Sequence, residues 1–415
     1  MKRLWPFTAR GTGGLLLALG CFIAASELGV TVLMYFGLLL LALLVAGLVS
    51  LHLTRRTDKV TRSLYPEVVT AGRSATVTAH VGIRSPVPTA PGTWEDTLPK
   101  GLDGRPHGVF PALGSALRRA DWSVDIEYPV TGLRRGIHPT GPLIVTSTDP
   151  FGLVRRRTVF TDRTAVTVAP AIVDLSALTD MLGNTGGTLH TENNQLGQGA
   201  DNLIARLYLP GDSMRRIHWR ASAHRGELMV RQEEQETTPE AVVVLDRSAR
   251  RWAAEAMGST GADPGFESAV TTCVSAVARL VVDGYSVDVI DSDGTVLADR
   301  IEGGDLSGVE DLRTHFATVT ARREDHLPQL ARLFNGVTTG PLVLIVGRLD
   351  SADAETLAPL VHHCTLPLLF AVAPERAAAD LAAEFGWRVA TIGPDDELRA
   401  AWTGTVDRGV SSGHR

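Results

Sequence analysis

The chain has 415 residues, 44% hydrophobic and 21% charged, with 40 Lys plus Arg against 46 Asp plus Glu and a net charge of −6. That length allows two or three domains of about 100 to 200 residues each, and the acidic balance argues against a nucleic-acid binder, whose footprint is net basic. Three cysteines, Cys21, Cys273 and Cys364, stand at neither disulfide-framework nor thiolate-ligand spacing and fit a reducing compartment.

Residues 11–53 carry one formal charge, Glu27. Such a run of about 43 residues would be ~65 Å long as helix, roughly twice what one bilayer core needs. It therefore predicts two transmembrane helices turning at Glu27, Leu28 and Gly29, and it is too long for a cleaved signal peptide. The first crossing has a short apolar core over residues 13–26 and takes Trp5 and Phe7 as interfacial anchors. Lys2, Arg3 and Arg10 precede the run, and Arg55, Arg56, Lys59 and Arg62 follow it. Basic flanks on both sides predict that both ends face the cytoplasm. The expectation is a membrane hairpin over residues 1–60 of a multi-pass cell-membrane protein whose soluble domains are cytoplasmic.

Over residues 61–170 the pattern alternates. Ala75, Val77, Ala79, Val81 and Ile83 share one face, and Trp122, Val124, Ile126, Tyr128 and Val130 repeat it, with Val166 and Val168 in a later run. Alternation with turn signals such as TGLRRG and STDPFG between runs predicts an antiparallel β-sandwich-like domain. Residues 171–236 read as a polar connection, too long for a simple linker, with its second half pinned onto the next domain.

From residue 237 to 415 apolar strands alternate with helical stretches. AVVVLD precedes FESAVTTCVSAVARLVVDG, where Val270, Val274, Val277 and Val281 share a face; SVDVID, PLVLIVG, TLPLLFAVA and WRVATIG follow. This predicts an α/β doubly wound domain with any site at the strand C-terminal ends.

The chemistry is bounded by absences. The lysines are Lys2, Lys59 and Lys100 only, so the α/β domain cannot carry a P-loop or form a Schiff base. No GxGxxG follows a strand, no GxSxG forms an elbow between a strand and a helix, and HExxH does not occur. The stretch GDSMRRIHWRASAHRGELMVRQEEQE, residues 211–236, gathers five arginines but also five carboxylates, Asp212, Glu227, Glu233, Glu234 and Glu236. Its balance argues again against nucleic acid. Gly211, Asp212, Arg215, Arg216, His218, Trp219, Arg220, Arg225 and Glu227 are the candidate site there. One reading is a structural clasp in which arginines pair with the following glutamates in a packed seam onto the α/β domain; the other is a partner-docking surface.

VVVLDRSAR resembles the first strand of a von Willebrand factor A-type domain, whose metal-adhesion motif reads Asp, any, Ser, any, Ser. The resemblance implies a divalent cation such as magnesium at Asp246 and Ser248, with Asp350 as a later carboxylate. Arg250 stands where the second Ser belongs and puts a cation at a ligand position, so the expectation is no resident cofactor, with Asp246 accepting from loop amides. Asp350 reads equally as a helix cap. The blocks YPVTGLRRGIHPTGPLIVTSTDPFGLVRR and LYLPGDSMRRIHWRASAHRGELMVRQEEQE, between a membrane hairpin and this α/β domain, resemble the family called domain of unknown function fifty-eight. Its members are commonly encoded beside MoxR-type AAA ATPases. That implies a non-catalytic, membrane-anchored scaffold or adaptor for protein complex assembly or maturation, with the ATPase as protein partner. The other expectation is a divalent-cation-dependent hydrolase or transferase acting through Asp246, Ser248 and Asp350, and a third is a β-domain that recognises lipid or a cell-wall precursor.

Overall fold

The computed structural model describes residues 5–53, 55–84, 90–112, 122–178, 203–208, 214–233, 239–394 and 397–407. Two apolar helices open the chain, α1 (Ala9–Leu28) and α2 (Thr31–Leu53). Thr8 caps α1 by accepting from the Gly11 amide at 3.1 Å, and Gly29, at φ 64°, ends it in the left-handed conformation that glycine adopts without strain. The first helix is 20 residues long, longer than the apolar core read from sequence. Both helices are long and apolar enough to cross a membrane. So is a third, Pro264–Val282, but that one forms the centre of a soluble core, with Val270, Val274, Val277 and Val281 all buried.

After α2 comes β1 (Arg55–Tyr65), so residue 60, where the hairpin was expected to end, lies inside a strand. Ten further strands follow: β2 (Val69–Thr70), β3 (Ser74–Arg84), β4 (Ala90–Glu95), β5 (Leu102–Gly104), β6 (His107–Phe110), β7 (Trp122–Gly132), β8 (Gly136–Thr140), β9 (Leu143–Thr148), β10 (Arg155–Phe160) and β11 (Thr164–Ala169). They form two four-stranded sheets, β1-β3-β7-β5 and β10-β9-β4-β6, and a small third, β2-β11-β8. Ala75, Val77, Ala79 and Val81 of β3 meet Ile126, Tyr128 and Val130 of β7 in one core with Trp94, Phe110, Leu143 and Phe160 from the second sheet. A buried ion pair crosses that core: Arg62 donates from Nε and Nη2 to both oxygens of Asp96, at 2.9 and 3.1 Å, while the Tyr128 hydroxyl donates to Asp96 at 2.7 Å. Each group is satisfied by the others, as a buried charge requires.

Residues 171–178, the start of the segment expected to connect the two domains, pack onto the α/β unit. Leu175 and Leu178 are buried in the core of the α/β unit, the Val173 amide donates to Ser275 Oγ at 2.9 Å, the Leu178 amide donates to Asp283 at 3.0 Å, and Trp402 Nε1 donates to the Ser176 carbonyl at 3.0 Å. The start of the connection is thus sewn into the following unit. Further on, β12 (Leu203–Leu207) and β13 (Met229–Glu233) form a two-stranded ribbon enclosing the short helix α3 (Trp219–Arg225).

The last unit holds a six-stranded sheet from β14 (Glu240–Leu245), β15 (Ser286–Asp291), β16 (Val296–Ile301), β17 (Thr339–Leu349), β18 (Cys364–Pro374) and β19 (Arg388–Thr391), in the order β16-β15-β14-β17-β18-β19. All are parallel except the edge strand β16. Helices α4 (Pro264–Val282), α5 (Leu306–His315), α6 (Leu327–Leu333), α7 (Ser351–Leu357), α8 (Arg376–Glu384) and α9 (Leu398–Asp407) cover it. Two separate hydrophobic cores result: Val243, Val289 and Phe370 pack with α4 and α9, and Val244, Leu344 and Leu369 pack with α6, α7 and α8.

The β unit is bolted to this sheet by Arg135, in the turn between β7 and β8. Its side chain is 1% exposed. Nε and Nη2 donate to the two Glu267 oxygens of α4 at 2.8 and 2.7 Å, Nη1 donates to the Phe316 carbonyl, and the guanidinium lies 5.9 Å from the centre of the Phe266 ring. Gly136, at φ 139°, lies so close to Thr260 that a Cβ would come within 2.3 Å of its hydroxyl. Arg135→Ala should lower the unfolding free energy by about 3 kcal/mol, since it strands a carboxylate and a carbonyl at a desolvated seam. Urea denaturation of the full chain in micelles measures this, and a change under 0.5 kcal/mol would place the seam's stability elsewhere.

Candidate functional site

In a parallel sheet the strand C-terminal ends present their loops together, and a crevice opens where the strand order reverses. Here the reversal falls between β14 and β17. Asp246 and Ser248 leave the end of β14 at this place, both fully buried. The Asp246 amide donates to the Ile345 carbonyl at 2.9 Å, and Trp252 Nε1 donates to the Asp246 carbonyl at 2.9 Å. The loop after β14 therefore folds back over its own strand end. Gly347 permits this approach, because a Cβ there would stand 2.1 Å from the Arg251 carbonyl.

The centre of the loop is Arg251, a residue that the sequence reading did not single out. Its side chain is 2% exposed. Nε and Nη2 donate to the two oxygens of Asp353 at 3.1 and 2.6 Å, Nη1 donates to Asp325 at 2.6 Å, and the same Nη1 stands 3.5 Å from Asp246 Oδ2. One guanidinium thus serves three carboxylates from three loops. Burial works against its charge, but the hydrogen bonds to Asp353 and Asp325 prevail and raise its pKa. For Asp325 burial is likewise outweighed by Arg251, and its pKa is lowered. Asp246 has the weaker contact, so burial dominates and pushes its carboxyl up to about 6.

A second ion cluster adjoins it. Asp291, at the end of β15, is buried and accepts from Arg247 Nε at 2.6 Å, with Arg322 Nε 3.2 Å away; Arg322 Nη1 also pairs with Asp293 at 2.8 Å. That last bond holds the Asp293 carboxyl well below the usual range. Backbone bonds from Ala249 to Arg322 O, 2.7 Å, and from Arg322 to Arg247 O, 2.8 Å, zip the two loops together.

These residues do not fit a resident divalent cation. Such an ion needs about six to eight hard oxygens converging at ~2.0 to 2.6 Å. The free oxygen of Asp246 faces a guanidinium nitrogen instead. Asp350 caps α7 by accepting from the Asp353 amide at 2.8 Å, with Arg250 Nη2 3.6 Å away. Arg250, the departure seen in sequence, is largely exposed, at 63%; its neighbour does the filling. Among the described residues no group of three or more His, Cys, Asp or Glu is arranged to hold a metal. Ser248 Oγ and Asp246 Oδ2 are left without a hydrogen bond in this buried edge.

The arginine-rich stretch lies on the ribbon. His218 caps α3, its Nδ1 accepting from the Ala221 amide at 3.1 Å, and its own amide donates to the Met229 carbonyl at 2.7 Å. Ser222 Oγ accepts from the Met229 amide at 2.8 Å, so one backbone amide and one hydroxyl fasten the helix to β13. Ile217, Met229 and Val230 are buried beneath it. On the outside, Trp219 is 67% and Met214 63% exposed, and Arg215, Arg220, Arg225 and Glu227 are exposed with them. Gly211 and Asp212 lie outside the described residues, as does the side chain of Arg216. Elsewhere a cleft of 710 Å³, lined by Ser268, Thr271, Glu397 and Arg399 among others, contains none of the candidate residues.

Residues 204–283, from the ribbon through the Arg251 loop to the end of α4, match the family described as "Protein of unknown function DUF58". No curated protein matches the chain. Among solved structures, the ASH / PapD-like domain 7 of human CEP192 is 10% identical with a TM-score of 0.14, covering 28% of this chain and 91% of that one. A putative beta-galactosidase from Bacteroides fragilis is 9% identical, TM-score 0.19, over 82% of this chain and 40% of its own, and Cwp6 from Clostridium difficile is 9% identical, TM-score 0.15, over 81% and 53%. This chain spans about half or less of the latter two, and likenesses at these scores carry no argument.

Two measurements check the site. Titration calorimetry of the full chain with magnesium or manganese should give no binding heat at millimolar ion; saturable binding lost in Asp246→Asn would reverse the assignment. Because folding raises the Asp246 pKa to about 6, its contribution to stability is complete below the unfolded carboxylate range near 4 and fades as pH rises through about 6. Wild type should thus lose about 3 kcal/mol relative to Asp246→Asn between pH 4 and 7, read from paired urea curves at each pH.

Proposed function

We propose that the chain is a non-catalytic, membrane-anchored adaptor that binds a protein partner through the ribbon of residues 203–233. The observation that carries this reading is the exposed surface of α3 and the turn before it, where Trp219 and Met214 stand in solvent with Arg215, Arg220 and Arg225 also exposed. Aromatic and arginine side chains supply most interface hot spots, and an apolar face costs free energy while it stays wet. Three exposed arginines against Glu227 favour an acidic partner surface. The ribbon is held stiff by His218 and Ser222, so little order remains to be gained on binding.

The α/β unit is read as von Willebrand factor A-like and doubly wound. Its strand order, its single antiparallel edge and the Asp246-x-Ser248 strand end support that reading. In this reading the adhesion site has lost its ion, and the partner is engaged without one. A cation-dependent hydrolase or transferase would need Asp246, Ser248 and Asp350 on a common ion, which the guanidinium of Arg251 and the capping role of Asp350 oppose. The family resemblance makes a MoxR-type AAA ATPase the partner to try first, with complex assembly or maturation as the task, α1 and α2 as the anchor and the cytoplasm as the side on which the domains stand.

Tagged full chain isolated from membranes should bring down such an ATPase, with and without EDTA. Trp219→Ala should weaken recovery by roughly tenfold or more, the loss expected of a hot-spot aromatic. Undiminished recovery with Trp219→Ala combined with Arg220→Ala would remove the ribbon from the interface, and repeated isolation of the chain alone would remove the ATPase.

A further inference from the structure

The turn between β9 and β10, residues 149–154 (DPFGLV), is not at the periphery of the β unit but wedged between the paired ends of α1 and α2. Against α1, the Thr8 amide donates to the Leu153 carbonyl at 2.9 Å, Thr8 Oγ1 donates to the Gly152 carbonyl at 2.7 Å, and the Arg155 amide donates to the Pro6 carbonyl at 2.8 Å. Phe7 and Val154 form an antiparallel bridge. Against α2, Arg156 Nη1 donates to the Leu51 carbonyl at 2.7 Å, a cation at a helix C-terminus where the open carbonyls favour one.

Two glycines show how far the turn climbs. A Cβ on Gly11 would stand 2.0 Å from the Leu153 carbonyl, and one on Gly47 would stand 2.9 Å from Asp149 Oδ2 and 3.3 Å from Val154. Gly47 precedes the end of α2 by six residues, about 9 Å along a helix. The turn therefore rises well above the level at which the chain leaves α2. It is rigid there, because the buried Asp149 accepts from the Val154 amide at 2.6 Å and the Phe151 amide at 3.1 Å. At its tip Phe151 is 53% exposed, and Trp5, in ring contact with the Phe7 that bridges to Val154, is 52% exposed.

We infer that the β9–β10 turn is seated in the lipid headgroup layer, with Phe151 and Trp5 as aromatic anchors that hold the β unit flush against the bilayer. The inference rests on the reading that α1 and α2 span that bilayer. Its occupant is lipid: the turn continues a surface that lipid already covers, its height matches the interfacial zone at the end of a ~30 Å hydrocarbon core, and aromatic side chains prefer that zone. A soluble partner would have to displace headgroups to reach Phe151.

The test places the photoreactive amino acid benzoylphenylalanine at one position at a time in the full chain, in liposomes of phosphatidylcholine and phosphatidylglycerol, and measures phospholipid adducts by mass spectrometry. Position 39, exposed in the middle of α2, reports the span, and position 109, 73% exposed on β6, reports water. Adduct yield at 151 should approach that at 39 and exceed that at 109 by at least about fivefold, as an interfacial anchor requires. Adducts at 39 but only the position-109 background at 151 would overturn the seat while leaving the span standing. No adducts at 39 would overturn both.

Discussion

A single buried guanidinium organises the edge of the α/β sheet. Arg251 is nearly sealed from water, and a sealed cation persists only with matched acceptors around it. Asp353 takes two of its nitrogens, Asp325 and Asp246 share the third, and these carboxylates come from the start of α7, the segment before α6 and the end of β14. The loops at the reversal point of the sheet are thereby tied to one charge. Asp246, Asp325 and Asp353 all lie within 3.5 Å of this one cation. This pairing explains why the edge can carry so many charged groups and remain largely buried.

Much of the architecture was legible because burial follows periodicity. Ala75, Val77, Ala79 and Val81 are spaced by two and all face the β core; Val270, Val274, Val277 and Val281 recur at helical spacing and all face the α/β core. The apolar run at the N-terminus announced two helices for the same reason. Arg251 was hidden for a different one. In the string ARRW nothing distinguishes it from Arg250, yet one is sealed and the other open. Its acceptors lie 74 and 102 residues downstream, and no local pattern encodes a contact of that range. The motif drew attention to Asp246 and Ser248 at the end of β14, while the guanidinium that stands beside Asp246 could be seen only in three dimensions.

Arg135 and the β9–β10 turn belong to the same class. Both fall inside the long block of residues 128–156 that carried the family resemblance, but sequence marks them only as turn punctuation, TGLRRG and STDPFG. In the structure each such turn is a joint: one reaches Glu267 and Phe316, the other reaches Thr8 and Leu51. The β unit is thus held at two of its turns, to the helical pair on one side and to the sheet on the other. In the arginine-rich stretch a seven-residue helix capped by His218 carries Trp219 in solvent, while Glu234 and Glu236, which the clasp reading invoked, lie outside the described residues.

The short run of residues 171–178 has a practical bearing. Leu175 and Leu178 complete the apolar interior beside α4 and α9, and Ser176 supplies the acceptor for the indole of Trp402. A recombinant piece begun at the first sheet strand, near residue 237, would lack both leucines and leave that indole nitrogen facing an empty groove. Anyone wishing to isolate the sheet as a free-standing body has to carry this upstream strap along, or supply it as a separate peptide.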